Sequence, residues 1–337
     1  VIDPSVAILI KVSGLLNHNA AGYTPQMRND MRPGPSIDSR GSLDPVLDVA
    51  DVRKAYGDTI ALDGITLSVH KGEIFGVLGP NGAGKTTLTE ASEGYRSLDS
   101  GHITVLGSDP KDSSVKRRIG VMLQEGGIYP SLKAREVVDA FAAFYPASKD
   151  PATILEAVGL ADKGSALIRS LSGGQKQRLS LALALVGNPE LAFLDEPTSA
   201  MDPHARRATH EIIKELSRSH KTVFMTTHLI EEAEYLCDRI AIIDKGRLLA
   251  LGSPSELKGP PSLDFTVEGS FDLAALGEAL GTSVKEVSPG HFSSEGRVDP
   301  KAVADLTRWL ADRQLLCSQL TTTGGTLEDA YMRMVEV

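Results

Sequence analysis

Between Pro45 and Lys258 the hydrophobic positions fall into short dense runs, separated by longer stretches in which apolar residues recur at helical spacing. The runs "EIFGVLG" (73–79), "RIGVMLQ" (118–124), "PELAFLDEP" (189–197) and "KTVFMTTH" (221–228) are bounded by glycine, proline or polar residues and predict strands. Strands that alternate with helices predict an α/β domain with a largely parallel sheet over residues 45–258. Within it, "SGGQKQRLSLALALVGNP" predicts a helix with Ser172 as N-cap, apolar Leu179, Leu183 and Val186, and a stop at Gly187 to Pro189. The segment "GSPSELKGPPS" breaks the pattern and introduces a third region, 263–337. There "LDFTVEG", "SVKEVS", "HFSSEG" and "LLCSQLTTT" predict strands, and "DLAALGEALG", "VADLTRWLADRQ" and "LEDAYMRMVEV" predict helices. That is a small α+β appendage, with Trp309 and Leu310 expected in its core. Residues 1–44 are rich in Asn, Pro, Gly, Ser and Arg without a sustained period, which predicts an extended or disordered tail.

Composition narrows the function classes. The chain has 337 residues, of which 41% are hydrophobic and 23% charged, enough for one large or two modest domains with a substantial core. No apolar run approaches the roughly eighteen residues of a membrane span. "VAILIKV", near the start, is short, contains a lysine and has no basic stretch before it, so the expected location is the cytoplasm. A net charge of −9 argues against nucleic acid as a partner, because "VKRR" at 115–118 is the densest basic cluster. Cys237 and Cys317 lack the spacing of a metal or redox site and read as reduced thiols, with Cys237 expected in a packed helix.

The candidate chemistry gathers where strands end. "GPNGAGKTT" follows the strand 73–79 at once and opens a helix, matching G-x-x-x-x-G-K-[ST] from Gly79 to Thr86. Gly79, Gly82 and Gly84 let the backbone curl so that the N–H groups of Gly79, Pro80, Asn81, Gly82, Ala83, Gly84, Lys85, Thr86 and Thr87, proline excepted, can converge on phosphate oxygens. Lys85 would reach the β- and γ-phosphates of a bound nucleotide, and the Thr86 hydroxyl would bind Mg²⁺. After "LAFL", Asp195 is the expected metal carboxylate and Glu196 the residue that polarises the attacking water. Gln124 can ligate Mg²⁺ and contact the γ-phosphate, and His228 can hold the catalytic carboxylate and water. Singly, each of these polar strand ends reads more readily as a satisfied polar residue at a sheet edge; their agreement makes one site.

With these residues in order, the chain closely resembles the nucleotide-binding subunit of ABC transporters over about residues 46–257. The resemblance adds Tyr56 as an adenine-stacking residue, "LSGGQ" at 171–175 as the signature, and "TSAMD" at 198–202. Met201 departs from the family, which more often has leucine there, at nearly constant volume. The fold so implied is an ABC-type P-loop ATPase domain: a mixed sheet core, an antiparallel β subdomain and a helical signature subdomain, followed here by the small α+β domain. "LQEGGIYPSLKARE", "GSPSEL" and "LEDAYMRM" are similar to the ATPases of daunorubicin-type multidrug exporters (ABC-2 type) and of sodium and polysaccharide exporters.

What the resemblance implies is a head-to-tail dimer of two ATP-binding subunits, expected as a homodimer. In it Ser172, Gly173, Gly174 and Gln175 of one chain meet the γ-phosphate held by the other, since a helix N-terminus attracts an anion. It also implies a separate integral-membrane permease, so that the subunit touches the membrane only through that partner, on the cytoplasmic face. Ile128, Tyr129 and Pro130 are candidate docking residues, although ordinary packing explains them equally well. An ABC-type ATPase acting on ribosomes or DNA, and an importer cassette, stay open as alternatives. The first would ordinarily carry two cassettes or a long coiled-coil insertion, and neither is seen in the sequence.

Overall fold

A computed structural model describes residues 45–122, 129–199, 201–258, 261–296, 298–323 and 326–335. The expected tail, Gln124, Ile128 and Ala200 of the "TSAMD" loop lie outside the described residues. The chain divides into two compact units, with the division between Leu251 and Gly252.

In the first unit, strands β1 (Leu47–Tyr56), β2 (Thr59–Val69), β3 (Ile74–Leu78), β4 (Ser100–Val105), β5 (Ile119–Met122), β6 (Leu191–Asp195), β7 (Thr222–Thr227), β8 (Arg239–Asp244) and β9 (Arg247–Gly252) alternate with helices. The main helices are Lys85–Ser92, Ala134–Ala142, Pro151–Ala157, Gly173–Val186, Pro203–Arg218 and Ile230–Leu236. Two sheets result. β2–β1–β4 is antiparallel, and its alternating sides bury Leu47, Val49, Leu67 and Val69. The larger sheet runs β5–β6–β7–β3–β8–β9. Its first four neighbouring pairs are parallel. β3, β6 and β7 are buried along their whole length, as strands covered on both faces must be, which explains their unbroken apolar runs. β9 follows β8 across Lys245 and Gly246, both at positive φ as a tight hairpin turn requires, and this makes the sheet mixed.

The parallel order brings the carboxyl ends of β6, β7 and β3 side by side. In register, Asp195 pairs with Thr226, and Leu78 pairs with Thr227. Residues from three distant stretches of sequence therefore share one sheet edge. Cys237, expected in a helix, sits just past the end of Ile230–Leu236 in extended backbone, where its buried sulfur packs on Gly76: a Cβ there would lie 2.5 Å from it.

The second unit is an antiparallel sheet ordered β11–β12–β10–β13, from β10 (Ser262–Val267), β11 (Val284–Ser288), β12 (His291–Glu295) and β13 (Cys317–Thr323). Helices Leu273–Leu280, Pro300–Asp312 and Leu327–Val335 accompany it, in the order expected. Its core gathers Leu263, Phe265, Leu276, Phe292, Leu306, Trp309 and Leu310. The short helix Pro254–Leu257 packs against Leu327–Val335, so the "GSPSEL" segment goes with this unit.

Candidate active site at the strand ends

β3 ends on Leu78, and the chain turns through the glycine-rich loop into helix Lys85–Ser92. The loop is made of glycines because protein backbone leaves no room for side chains: a Cβ on Gly79 would stand 2.3 Å from the Ile243 carbonyl, and one on Gly84 2.3 Å from the Ala61 carbonyl. Gly84 is also left-handed, at φ 105°, and no side chain caps the helix it opens. The first N–H groups of that helix are thereby left for an anion, on the positive end of the helix dipole. Gly79 and Ala83 are buried, Pro80, Gly84 and Thr87 half-buried, and Asn81, Gly82 and Thr86 exposed at the mouth.

Lys85 is buried at the centre of this arrangement. Its Nζ donates to the carbonyls of Gly79 (2.8 Å) and Pro80 (3.1 Å) and lies 3.7 Å from Glu196 Oε1. Burial pulls its pKa below the ordinary lysine value, against the opposing pull of Glu196 and Asp195. Asp195, the last residue of β6, is also buried; it accepts hydrogen bonds from the hydroxyls of Thr226 and, at 3.5 Å, Thr86. Burial, helped by the neighbouring charge of Glu196, raises its pKa against the hydroxyl donors and Lys85.

Glu196 stands in a left-handed conformation, φ 46°, which costs a non-glycine residue about 1–2 kcal/mol. Several hydrogen bonds hold it there. Its N–H donates to Thr226, to the carbonyl oxygen at 3.2 Å and to the hydroxyl at 3.1 Å. Its own carbonyl accepts from Ser199 N (3.1 Å) and from Gln177 Nε2 (2.9 Å). The bend turns the side chain away from that of Asp195 toward His228, whose Nδ1 is 3.1 Å from Glu196 Oε1.

The other expected residues lie further out. Tyr56 closes β1 at the hairpin into β2, within the first strand pair rather than before it, and is 43% exposed, leaving ring surface for a stacking partner. Ser172 caps helix Gly173–Val186 in a capping box: its hydroxyl accepts from Gln175 N at 3.3 Å, and Gln175 Oε1 accepts from Ser172 N at 2.9 Å. The helix start is thus less open than the sequence suggests, since the N–H of Gln175 is taken and an anion is left those of Gly173 and Gly174. Apart from its chain neighbours and its own helix backbone, no described atom lies within 4 Å of where a Gly173 Cβ would be. Met201 is buried, with its sulfur accepting from Thr209 Oγ1 at 3.3 Å, so the swap from leucine keeps a packed position. Tyr129 and Pro130 are exposed.

Sequence reasoning missed several residues that hold this site. Thr226 touches both Asp195 and Glu196, and the polar pair that ends the apolar run "TVFMTT" is its only signal. Gln177 reaches the Glu196 carbonyl from the signature helix, which no local pattern foretells. Glu232, buried on helix Ile230–Leu236, accepts from Thr198 Oγ1 at 2.6 Å and meets His210 Nε2 at 3.0 Å, tying the segment after Glu196 to two helices.

The residues present fit a nucleoside triphosphate and Mg²⁺. The uncapped helix and the side-chain-free loop suit phosphates, and Thr86 and Asp195 offer adjacent hard oxygens. Among the described residues no group of three or more His, Cys, Asp or Glu could enclose a metal, so phosphate and water oxygens would complete the Mg²⁺ shell.

Known proteins match this geometry. The ABC transporter family model matches residues 62–199. The linearmycin resistance ATP-binding protein LnrL of Bacillus subtilis is 40% identical over 235 residues, which is 66% of this chain and 76% of that protein. The Nod factor export ATP-binding protein I of Ralstonia nicotianae is 39% identical over 238 residues, covering 68% of this chain and 73% of its own. Among solved structures, the ATP-binding subunit of an ABC transporter aligns with a TM-score of 0.58 at 26% identity, covering 63% of this chain and 92% of its own. A dimeric ATP-binding cassette, in a post-hydrolysis state bound to ADP and Pi, aligns with a TM-score of 0.58 at 26% identity, covering 61% and 98%. With a nucleotide-binding loop, acidic strand end and signature helix in one cassette, the chain belongs to the ABC transporter family as an ATP-binding subunit, an ATPase.

Proposed function

We propose that the chain powers an ABC exporter: it binds and hydrolyses ATP as a head-to-tail homodimer and drives a separate permease from the cytoplasmic face of the membrane. The observation that carries this reading is the meeting of Lys85, Asp195, Glu196 and His228 at the adjoining ends of β3, β6 and β7. The export sense is supported by the relatives named for Nod factor export and linearmycin resistance, and favours an exporter over an importer or a ribosome- or DNA-directed ATPase. No described helix is long and apolar enough to cross a membrane, which fits a subunit that reaches the bilayer through its partner. The second unit, residues 252–337, serves as an accessory domain to the cassette, whose expected end at 258 moves back to Leu251, and Tyr129 and Pro130 face the permease.

In this reading the adenine stacks on Tyr56, while the backbone of 79–87 and the Lys85 ammonium bind the triphosphate. Thr86 and Asp195, with Gln124 as the sequence implies, would hold Mg²⁺, and the ion when bound would supply neutralising charge at the phosphates. Glu196 takes the proton of the attacking water as its oxygen bonds to the γ-phosphorus and the β–γ bridging bond breaks. His228 keeps that carboxylate aimed. Ser172, Gly173, Gly174 and Gln175 of the partner close the site over the γ-phosphate, and loss of that phosphate opens the dimer.

The test is Glu196→Gln. The amide keeps the shape but cannot accept the proton, so ATP should still bind while turnover falls by about 100-fold or more. Size-exclusion chromatography with ATP and Mg²⁺ should then show a dimer that disappears without nucleotide. Turnover near the wild-type rate would remove Glu196 from this role, and an ATP-bound monomer would defeat the shared-site dimer.

A further inference from the structure

The catalytic carboxylate hangs from an unusual piece of backbone. Glu196 is left-handed, and its two flanking peptide groups are fixed from different elements: its N–H by Thr226 on β7, its carbonyl by Ser199 N and by Gln177 Nε2. Thr226 sits in a sheet, and Ser199 lies three residues on in the same loop. Gln177 alone in this set comes from the signature helix, five residues past its cap Ser172. The same amide lies 3.5 Å from Ser199 Oγ, so one side chain spans both ends of the turn that follows Glu196.

From this geometry we propose that Gln177 is a positioning residue for ATP hydrolysis: it donates to the Glu196 carbonyl of its own chain and thereby aims the carboxylate. The proposal rests on the ATPase reading given above. Without the amide, the carbonyl keeps only the weaker turn contact from Ser199, and the peptide following Glu196 is free to rotate. The carboxylate then loses the orientation that sets it 3.1 Å from His228 Nδ1 and 3.7 Å from Lys85 Nζ. The hydrogen bonds of the Gln177 amide go to Glu196 and Ser199 and not to the phosphate loop, so nucleotide affinity stays outside its reach. Its position on the signature helix gives the contact a further meaning. The helix whose tip would meet the partner's ATP is hydrogen-bonded, a turn and a half further on, to the backbone carbonyl of the residue whose carboxylate serves its own chain's ATP.

The experiment uses the full chain with Gln177→Met, which keeps length and helix preference but cannot donate, and Gln177→Glu, which presents acceptors to a carbonyl. Steady-state hydrolysis, ATP binding, and the ATP-dependent dimer formed when each is combined with Glu196→Gln are measured together. The expected result is a kcat about five- to tenfold lower in both variants, the effect of losing one neutral hydrogen bond that orients a reacting group. KM for ATP should stay within about twofold, and the trapped dimer should be as abundant as with Glu196→Gln alone. An unchanged kcat in either variant overturns the proposal, because donation is then not needed. A raised KM or a lost dimer also overturns it, since Gln177 would then act on nucleotide binding, assembly or folding. If the wild-type chain neither hydrolyses ATP nor dimerises with it, the ATPase reading fails first.

Discussion

Gly84 offers a quantitative test of the phosphate cradle, because alanine there meets two separable obstacles. At φ 105° an L-residue lies in left-handed territory, which costs about 1–2 kcal/mol. The new Cβ would also stand 2.3 Å from the Ala61 carbonyl oxygen, a backbone atom rather than the far end of a flexible side chain, so backbone must shift to admit it. The loop is sewn to the same place by Gly246 N donating to Ala83 O at 3.0 Å. Overpacking of this kind costs about 1–3 kcal/mol. The sum, roughly 3.5 kcal/mol at its centre, is relieved by moving the loop, so it is lost from ATP binding. At 1.4 kcal/mol per factor of ten, Gly84→Ala should weaken ATP by about 100-fold or more. Gly72→Ala is the control, because Gly72 has φ 86° and nothing within 4 Å of its Cβ site. It should lower stability by about 1–2 kcal/mol through backbone strain alone and leave ATP affinity unchanged. Calorimetric titration with ATP, alongside thermal melts, gives both quantities. A Gly84→Ala protein with native circular dichroism and ATP affinity within tenfold of wild type would refute the reasoning, as would equal affinity losses in the two variants.

Two further expectations concern other parts of the cassette. Burial raises the pKa of Glu232, but hydrogen bonds from His210, Thr198 and Thr227 outweigh it and leave the folded value below the ordinary 4.5. A depressed carboxylate contributes stability that is full above its unfolded pKa and is lost as pH falls through its folded pKa. Glu232→Gln should therefore cost about 1–3 kcal/mol at neutral pH and flatten the acid limb of the urea midpoint between about pH 5 and 3; an unchanged limb would show that the carboxylate is not the group titrating. Tyr56→Ala should raise the ATP Kd about tenfold and spare kcat, since base stacking on an aromatic ring contributes about 1–3 kcal/mol; an unchanged Kd would place adenine elsewhere.

How far the sequence reaches depends on whether an interaction is local. The loop 79–87 is readable because its glycines, its lysine and the strand before it are contiguous, and each has a steric or electrostatic reason. The N-cap at Ser172 is readable for the same reason, though its cost, the N–H of Gln175 spent on the Ser172 hydroxyl, is not. Several elements of the second unit, Ser262–Val267, Leu273–Leu280 and Pro300–Asp312 among them, follow from periodicity because each buries one face on a single small core. The strand order β6–β7–β3 is another matter, since nothing local says that Asp195 pairs with Thr226 across thirty residues of chain. The left-handed turn at Glu196 is equally hidden, because glutamate has no preference for it and only the bonds from Thr226, Ser199 and Gln177 hold it. Cys237 shows the ordinary limit at an element's end, where one residue decides between helix and extended chain.

The helix Gly173–Val186 also has mechanical character. It is 14 residues long, roughly 21 Å, and every residue from Leu179 to Val186 is buried, while its first turn is exposed or half-exposed. Its far end is wedged as well: a Cβ on Gly187 would lie 2.7 Å from the Tyr145 ring. This is a cantilever, embedded for more than half its length and free at the tip. Close-packed interiors compress little, so a push on the tip cannot be absorbed by soft packing around the root. It must pass to the elements the root leans on, which include β5 and β6. Because β6 ends at Asp195, a push on the exposed glycines would be passed toward the strand that leads into the acidic pair.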